Sequence, residues 1–427
     1  MKILMLVNWK VTYAAQPPAD LQPPDYCVQN EPYWFFRYFP KNTQVDVVDI
    51  RSFAWLERFE KEKLRFYIWQ TLRVLPRLNQ YDIVLSHGMQ SAIVLCIIRR
   101  LFGRGRYRHV VVDVGAFNSA RESGKSLRLM QFAGKSLDGV IYHTQSQRVY
   151  YEHCHPWLLN RAWFIPFGTD AAFFSGEKRE DGEEGKDSGA AQGRRPRAKN
   201  ARSERPYIVC IGAAKRDWRT LLLAFHKLDE QIELRLIGIG KPEQTALERL
   251  TDGEPLSEKE RAALSEACGD ERICWIPRVP VLEMKRQIAG AAFCVLPLVS
   301  HNYSYGQMTM LQQMAMGKAV VAADVPSLAA YQRTDRTAAY QPGDAADLRR
   351  QLAALCRDIL QENGRRCRRL GEAAARAVRE LFNEERMAGE FLGCLECVMG
   401  EKTGEPSGET GRSSDADTGN QRDCAGL

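Results

Sequence analysis

The sequence has no long hydrophobic run. No stretch approaches the roughly 18 consecutive apolar residues that a membrane-spanning helix needs. The opening MKILMLVNW is too short for the apolar core of a secretion signal and lacks a small-residue cleavage site, so it predicts a first buried strand. We therefore expect a cytoplasmic protein, for which a peripheral contact with the inner face of the cell membrane stays open.

Two motifs that bind phosphates are also missing. No G-x-G-x-x-G follows the first predicted strand, and LIGIGKP at 236–242 has only two of the glycines, which argues against a dinucleotide-dependent oxidoreductase. No G-x-x-x-x-G-K-[ST] occurs anywhere, which argues against a nucleoside triphosphatase of the P-loop type. Phosphate recognition, if present, must rest on another arrangement.

The cysteines lack the pairing that a metal site needs. Twelve are scattered along the chain, and Cys96, Cys210 and Cys294 lie within apolar runs, where cysteine behaves as a small hydrophobic residue. Cys394 and Cys397 form a single C-x-x-C with no second pair, whereas zinc usually takes four ligands in recognisable pairs. We expect no metal and no resident cofactor.

Charge of one sign is not in large excess. The formal net charge is +7 over 427 residues, with 26% charged and 44% apolar residues, as in a soluble globular protein with two or three domains. A modest positive charge suits an acidic substrate or an anionic membrane surface. It does not require nucleic acid, and we expect no nucleic-acid partner.

What the sequence does contain is two series of alternating strand and helix signals. Strands are predicted for KILMLV, VDVVDI, DIVLSHG, HVVVDVG, GVIYHT and WFIPFGTD in the first series, and for YIVCIGA, LRLIGIG, ICWIP, FCVLPL and AVVAAD in the second. Apolar strands separated by helices predict parallel sheets, here in Rossmann-like domains over 1–173 and 206–399. The charged, glycine-rich segment 174–205 predicts a flexible linker, and the polar segment 400–427 predicts a disordered tail.

The most informative segment, 293–324, predicts a strand, a polar loop, a helix and a second strand. Gly306 and Gln307 lie where the loop becomes the helix, and a helix N-terminus offers free amides and partial positive charge to phosphate or sugar oxygens. Thr309 and Gln312 belong to the first turns, and the Gln312 amide could bond the paired hydroxyls of a ribose. The alternative is an ordinary β-α-β unit with a polar helix face.

A second candidate lies in IVCIGAAKRDWRTLLLAF, residues 208–225. A strand is predicted to end at Gly212 and a helix to begin near Asp217, with Lys215 and Arg216 in the connection. Ligands of open α/β sheets bind at the carboxyl ends of the strands, so these cations are placed to meet a diphosphate. The alternative is a solvated basic turn.

Polar residues also follow strands in the first half. His87 follows DIVLS, Asp113 follows VVV, and His143 with Thr144 follows GVIY. Histidine and aspartate at strand ends could orient an acceptor hydroxyl or take its proton. Each is also a common structural residue at such a position.

Two further segments, 54–77 and 96–108, interleave aromatic with basic residues. The first is AWLERFEKEKLRFYIWQTLRVLPR and the second CIIRRLFGRGRYR. This mixture suits a membrane interface. The alternative is an amphipathic helix on the sheet together with a solvated loop.

The chain ends in two predicted helices that run from an N-cap at Asp344 to about Met399. Together with the two α/β halves and the linker between them, this long helical end resembles the GT-B glycosyltransferases. The second half is similar to the family-four, or group 1, retaining enzymes in IGAAKRDWRTLLLAF, LRLIGIG, ICWIPRVP, AGAAFCVLPL and MLQQMAMGKAVVAADVPSL. FNEERMAGEFL resembles the final helix that crosses back to the first domain. The resemblance covers most of 206–399, while 1–173 resembles the family in layout, and it implies two Rossmann-like domains facing a cleft.

The family's paired glutamates, seven residues apart, are degenerate in this chain. Ser304 and Gln312 stand at those places. The resemblance implies a sugar contact at the first position and a ribose contact at the second. Gln312 could keep the ribose contact, and Gln307 could replace the sugar contact. The family's glycine-rich loop after the first strand is replaced by NWKVTYAAQPP, so the acceptor is not implied.

The resulting hypothesis is a hexosyltransferase that moves a sugar from a nucleotide-diphosphate sugar to a saccharide or lipid-linked acceptor, in polysaccharide or glycolipid assembly. By resemblance, the reaction retains anomeric configuration and needs no metal. Alternatives are a non-catalytic GT-B binding or scaffold protein and a nucleotide-sugar epimerase. The candidate catalytic residues are His87, Asp113, Lys215 and Arg216, and the candidate donor-binding residues are Gly212, Ser304, Gly306, Gln307, Met308, Thr309 and Gln312.

Overall fold

Two six-stranded parallel sheets form the framework of the chain. The structure is a computed structural model that describes residues 1–103, 105–176, 205–212, 215–251 and 255–400. Most of the predicted linker (177–204) and nearly all of the predicted tail (401–427) lie outside the described residues. The domain boundaries at 173 and 206 therefore stay predictions.

The first sheet has the strand order β4-β1-β5-β6-β7-β8. All of its pairs are parallel, and its central strands are apolar on both faces, which is why they read as continuous hydrophobic runs. Its strands are β1 (Lys2–Leu6), β4 (Gln44–Val48), β5 (Ile83–His87), β6 (Arg108–Asp113), β7 (Gly139–Tyr142) and β8 (Ala162–Phe164). A separate two-stranded sheet pairs β2 (Thr12–Ala14) with β3 (Tyr26–Val28).

The second sheet has the order β11-β10-β9-β12-β13-β14 and is also parallel throughout. Its strands are β9 (Tyr207–Ile211), β10 (Glu233–Ile237), β11 (Ile273–Ile276), β12 (Phe293–Leu296), β13 (Val320–Ala323) and β14 (Ala338–Tyr340). All eleven strands predicted from the sequence are confirmed. The strands β2, β3 and β14 were not predicted, because each is only three residues long and lacks a sustained apolar run.

The helices connect the strands and cover both sheets. They are α1 (Ala54–Phe59), α2 (Ile68–Val74), α3 (Met89–Phe102), α4 (Ala116–Ser119), α5 (Gly124–Gly134), α6 (Gln147–Cys154), α7 (Ala171–Ser175), α8 (Trp218–His226), α9 (Glu258–Cys268), α10 (Val281–Gly290), α11 (Gln307–Ala315), α12 (Ala345–Gln361), α13 (Arg365–Leu381) and α14 (Glu384–Gly400). No helix among the described residues is long and apolar enough to cross a membrane.

Local capping explains where the second-half helices begin. The Asp217 side chain accepts from the Thr220 amide at the start of α8, and the Asp344 side chain accepts from the Ala346 and Asp347 amides at the start of α12. The prediction of two helices after Asp344 is wrong, because the chain forms three. Gly364, at φ +66°, begins α13 after a break that an unbroken apolar pattern does not reveal.

The two faces of the first sheet carry different elements. Alternate strand residues such as Val111 and Val140 pack against α3, α5 and α6. The opposite face, which includes Val110 and Val112, packs with the 3₁₀ helix Trp34–Tyr38 and with α14. The last helix of the chain therefore completes the core of the first half.

Two contacts fix α14 on the first half. The ring of Phe391 lies 4.8 Å from that of Phe35 between centroids. The buried carboxylate of Glu384 accepts from Trp34 Nε1 at 3.1 Å and pairs with Arg37 at 2.6 Å. The expectation that C-terminal helices cross back is confirmed in α14.

Candidate functional site

A buried arginine lies at the carboxyl end of β9. The Arg216 side chain donates through Nε to the Ile211 carbonyl at 2.9 Å and through Nη2 to Thr309 Oγ1 at 3.1 Å. Gly212, at φ +102°, makes room for it, because a Cβ there would lie 2.5 Å from Arg216 Nη2. Burial lowers the pKa of Arg216 from its usual value. An arginine nevertheless stays charged at neutral pH, so the site holds a preorganised cation.

The first turn of α11 supplies the second part of the site. Gly306 is its N-cap at φ +79°, where a Cβ would lie 2.6 Å from Leu298 Cδ1, so only glycine fits without displacing that leucine. Gln307, Met308 and Thr309 follow as the first helical residues, whose amides have no partner within a helix. Because Thr309 bonds Arg216, the guanidinium lies beside the positive end of this helix. Such an arrangement favours an anion.

Lys215 extends the same region through its backbone. The backbone of Lys215 has φ +58°, and the Lys215 carbonyl accepts a hydrogen bond from the Val299 amide at 3.4 Å. Two residues further on, the amide of Asp217, the N-cap of α8, donates to the Pro297 carbonyl at 3.1 Å. The β9–α8 connection is therefore tied to the loop that leads to α11. Lys215 is partly buried at this junction.

Ser304 and Gln307 contact the first half directly. Ser304 Oγ lies 3.0 Å from Thr144 Oγ1 and 3.0 Å from Gln147 Oε1, and the Gln307 amide donates to Thr144 Oγ1 at 3.0 Å. Gln147 in turn donates to the Asp113 carbonyl at 2.9 Å. We call Asp113, Thr144, Gln147, Ser304 and Gln307 the interlobe network. It joins the ends of two first-half strands to the start of α11.

Gln312 is covered by the connection that follows β1. Its Nε2 donates to Gln22 Oε1 at 3.2 Å, and it is buried. Residues 9–33, which we call the strap, also reach the second half where the Asp20 carbonyl accepts from the Val281 amide at 3.4 Å. The predicted ribose contact is thus occupied by a side chain of the first half in this conformation.

His87 lies under the strap at the end of β5. Its ring meets the Trp9 ring edge-on at 4.7 Å between centroids. Burial, and then the neighbouring His143, lower the pKa of His87 to about 3, and burial lowers the pKa of His143 to about 4. Both rings are therefore neutral near pH 7. Among the described residues, His87 Nδ1 is buried without a hydrogen-bond partner.

Asp113 is buried, and donors from its own loop and from α6 surround its carboxylate. The amides of Gly115 and Phe117 and the hydroxyl of Tyr151 donate to it at 2.7–3.0 Å. Burial raises the pKa of Asp113 to about 6, against these hydrogen bonds, which lower it. In this conformation the carboxylate holds the loop after β6, and its predicted catalytic role stays a prediction.

That loop contains a strained left-handed turn. Ala116, Phe117, Ser119 and Ala120 all have positive φ, at 40°, 43°, 91° and 50°. Such values cost roughly 1–2 kcal/mol for each residue with a side chain, so the surroundings must hold them. The Asp113 carboxylate does so from one side, and the Ser304 amide bonds the Val114 carbonyl at 3.1 Å from the other.

The structure brings the predicted site residues into three groups. Gly212, Lys215, Arg216, Gly306, Met308 and Thr309 surround the start of α11, Ser304 and Gln307 join Asp113 in the interlobe network, and Gln312 and His87 lie under the strap. Sequence reasoning missed Gln22 and Gln147. Nothing near either residue distinguishes it from an ordinary polar surface residue.

Two facing parallel-sheet domains, with the last helix returning to the first, define the GT-B type of fold. Solved structures of this type match nearly the whole chain. Sucrose-phosphate synthase from Thermosynechococcus elongatus is 16% identical with a TM-score of 0.61, covering 94% of this chain and 100% of that one. HepE from Anabaena, in complex with UDP and glucose, is 13% identical with a TM-score of 0.57, covering 93% and 100%.

A glycosyltransferase from Rickettsia africae is 11% identical with a TM-score of 0.61, covering 94% of this chain and 100% of that one. At these identities the likeness concerns the fold. Residues 205–358 match the model of the family described as "Glycosyl transferases group 1". No match was found among curated proteins. The family match and the fold together support a GT-B glycosyltransferase.

Proposed function

We propose that the protein moves a sugar from a nucleotide-diphosphate sugar to an acceptor hydroxyl. The observation that carries this proposal is the buried Arg216, held between Gly212 and Thr309 at the start of α11. It lies within residues 205–358, which match the group 1 glycosyl transferases. A cation beside a helix N-terminus, at the carboxyl edge of a parallel sheet, suits a diphosphate.

The reaction breaks the bond between the sugar's anomeric carbon and the diphosphate oxygen and forms one to the acceptor oxygen. The departing diphosphate gains negative charge, which Arg216, Lys215 and the amides of residues 307–309 would stabilise in the transition state. Because these groups supply fixed positive charge, we propose that transfer needs no metal. Retention of anomeric configuration is proposed from the resemblance of the second half.

His87 is our candidate for the acceptor side. Since its pKa is lowered to about 3, the ring is neutral near pH 7 but a weak base. We propose that its Nδ1, unpaired among the described residues, accepts a hydrogen bond from the acceptor hydroxyl and orients it, while the hydroxyl proton passes to the departing diphosphate. HepE structures contain UDP or UDP-glucose, and another structure of this fold is a lipopolysaccharide outer core galactosyltransferase. These similar structures favour UDP-sugars as first donors to test and a glycan in polysaccharide or glycolipid assembly as the acceptor.

A non-catalytic GT-B binding protein is the second candidate. Ser304 and Gln312 carry no charge where the resembled family has glutamates, and both bond residues of the first half. A protein that used these contacts only to hold its halves together would bind nucleotide without transferring sugar, or would neither bind nucleotide nor transfer sugar.

Thermal melting with UDP, GDP, ADP and CMP tests the proposal. A nucleotide at 100 times its dissociation constant stabilises a protein by about 2.7 kcal/mol, which is visible as a shift in melting temperature. We expect one nucleotide to shift the wild type and to shift neither Arg216→Ala nor Arg216→Lys. Arg219→Ala is the matched control, because Arg219 lies one position into α8 and pairs with Glu260 instead.

Turnover separates the two candidates. With the nucleotide-sugar of the base that binds, sugar release or transfer should fall about 10²- to 10³-fold in Arg216→Lys if the guanidinium contributes roughly 3–4 kcal/mol in the transition state. The rate should not change with chelator, and magnetic resonance of the product should show the donor's anomeric configuration. Nucleotide binding without turnover would favour the non-catalytic candidate.

A further inference from the structure

The outer helices of the first half expose an unusual amount of apolar surface. Of the sixteen large hydrophobic side chains that are exposed among the described residues, ten lie between Phe53 and Trp157. They belong to the helical layer that includes α1, α3, α5 and α6. Exposed apolar side chains scattered singly need no explanation, but a concentration on one layer marks a contact surface.

Part of this surface is continuous across three elements. The Arg100 guanidinium of α3 lies 5.9 Å from the centre of the Phe132 ring of α5, and Lys135 Nζ lies 5.1 Å from the centre of the Trp157 ring. Phe102, the last residue of α3 and two positions after Arg100, is 84% exposed. We call Arg100, Phe102, Arg128, Phe132, Lys135 and Trp157 the basic–aromatic surface.

The charge of this layer is strongly one-sided in the part from α3 to α6. Between residues 89 and 161, excluding position 104, seven exposed side chains are basic and two are acidic. One of the two, Glu152, is paired with Arg148 at 3.1 Å. Asp113 and Asp138 are buried within the fold, and neither α3 nor α5 contains an acidic residue. This part of the layer is therefore positive around its exposed aromatic rings.

The spacing on α5 explains how charge and aromatic groups share one face. Arg128, Phe132 and Lys135 recur at intervals of four and three residues, which places them along one side of a helix. The same helix buries Met130 and Ala133 against the sheet. The basic–aromatic face is thus the side opposite the core.

We propose that the basic–aromatic surface binds the anionic phospholipid headgroups of a bilayer, with Phe102, Phe132 and Trp157 entering the interface between headgroups and acyl chains. Aromatic rings prefer this interface, and lysine and arginine are attracted to an anionic leaflet. A polyanion with paired bases, such as double-stranded RNA, is bound mainly through its backbone and would leave an 84% exposed phenylalanine unused. The inference does not depend on sugar transfer.

Co-sedimentation of the full chain with vesicles tests the inference. We expect binding to vesicles of 70% phosphatidylcholine and 30% phosphatidylglycerol at low salt, weak binding to phosphatidylcholine alone, and release by high salt. Arg128→Glu with Lys135→Glu should lower the partition coefficient roughly 30-fold or more, because each basic residue near the surface contributes about one kilocalorie per mole. Phe102→Ser with Phe132→Ser should lower it about tenfold or more.

The controls make the same changes on α12 of the second half: Arg349→Glu with Arg357→Glu for charge, and Leu360→Ser for apolar surface. These variants should bind like the wild type, and all variants should melt within a few degrees of it. Absence of binding to the anionic vesicles would overturn the inference. An equal loss of vesicle binding in the control variants would also overturn it. So would binding that is lost in the charge variant but kept in the phenylalanine variant, because such binding would be purely electrostatic.

Discussion

At the level of single residues, the missing side chain at position 212 determines where Arg216 can lie. The guanidinium passes over Gly212 on its way to Thr309, and the positive φ of Gly212 turns the chain out of β9 at that point. The glycine and the arginine therefore act as one unit. A substitution at Gly212 should therefore first alter the position of Arg216.

We predict that Gly212→Ala displaces Arg216. The new Cβ would lie 2.5 Å from Arg216 Nη2, and φ +102° is unfavourable for alanine. Backbone strain of roughly 1–2 kcal/mol and crowding of roughly 1–3 kcal/mol should lower the free energy of unfolding, as measured by urea denaturation. The nucleotide-dependent melting shift should disappear as well.

Gly343→Ala is the matched control for that prediction. Gly343 also has positive φ, at +78°, but a Cβ there would meet nothing within 4 Å. The Gly343→Ala variant should lose only the stability that corresponds to backbone strain, and it should keep the nucleotide-dependent melting shift. If the two variants lose the same stability and both keep the response, the position of Arg216 does not depend on Gly212.

At the level of elements, α14 ties the end of the chain to its first half. Burial alone would lower the pKa of Arg37, but Glu384 and Asp170 more than offset this and raise it. Glu384 also accepts from Trp34 Nε1. A buried carboxylate with two such donors should matter more than a surface pair.

We predict that Glu384→Ala lowers the free energy of unfolding by about 3–5 kcal/mol, because it leaves the Arg37 charge without its nearest partner. Chemical denaturation followed by tryptophan fluorescence would measure the loss. Glu390→Ala removes an exposed pair with Arg386 on the same helix and should cost under about 1 kcal/mol. Equal stability of the two variants would mean that apolar packing alone holds α14.

The helices and strands were largely predictable from the sequence, whereas the contacts between them were not. Buried parallel strands read as apolar runs, and a cap such as Asp217 has a local signature, so their signals lie within a few residues. The contact between Arg216 and Thr309 joins positions 93 apart, and only the order of strands in the sheet brings them together. The strap over Gln312 has no local signal at all.

At the level of the whole molecule, the halves meet through residues that the donor would need. Ser304 and Gln307 are held by Thr144, and Gln312 is held by Gln22. If a nucleotide-sugar uses the same side chains, binding must compete with these contacts. A conformation that is only partly populated lowers apparent affinity in proportion to its population.

We predict that Thr144→Val raises the affinity for the nucleotide identified by melting about tenfold. The change keeps the shape of the side chain but removes the oxygen that Ser304 and Gln307 contact, and two neutral hydrogen bonds of roughly 0.5–1.5 kcal/mol each would no longer favour the contact between halves. Titration calorimetry would measure the affinity, and small-angle X-ray scattering should show a larger radius of gyration. Thr71→Val makes the same change at a buried position on α2 and should alter neither. A fall in affinity would instead mean that Thr144 holds Ser304 and Gln307 ready for the donor, so that the joined halves are the binding form.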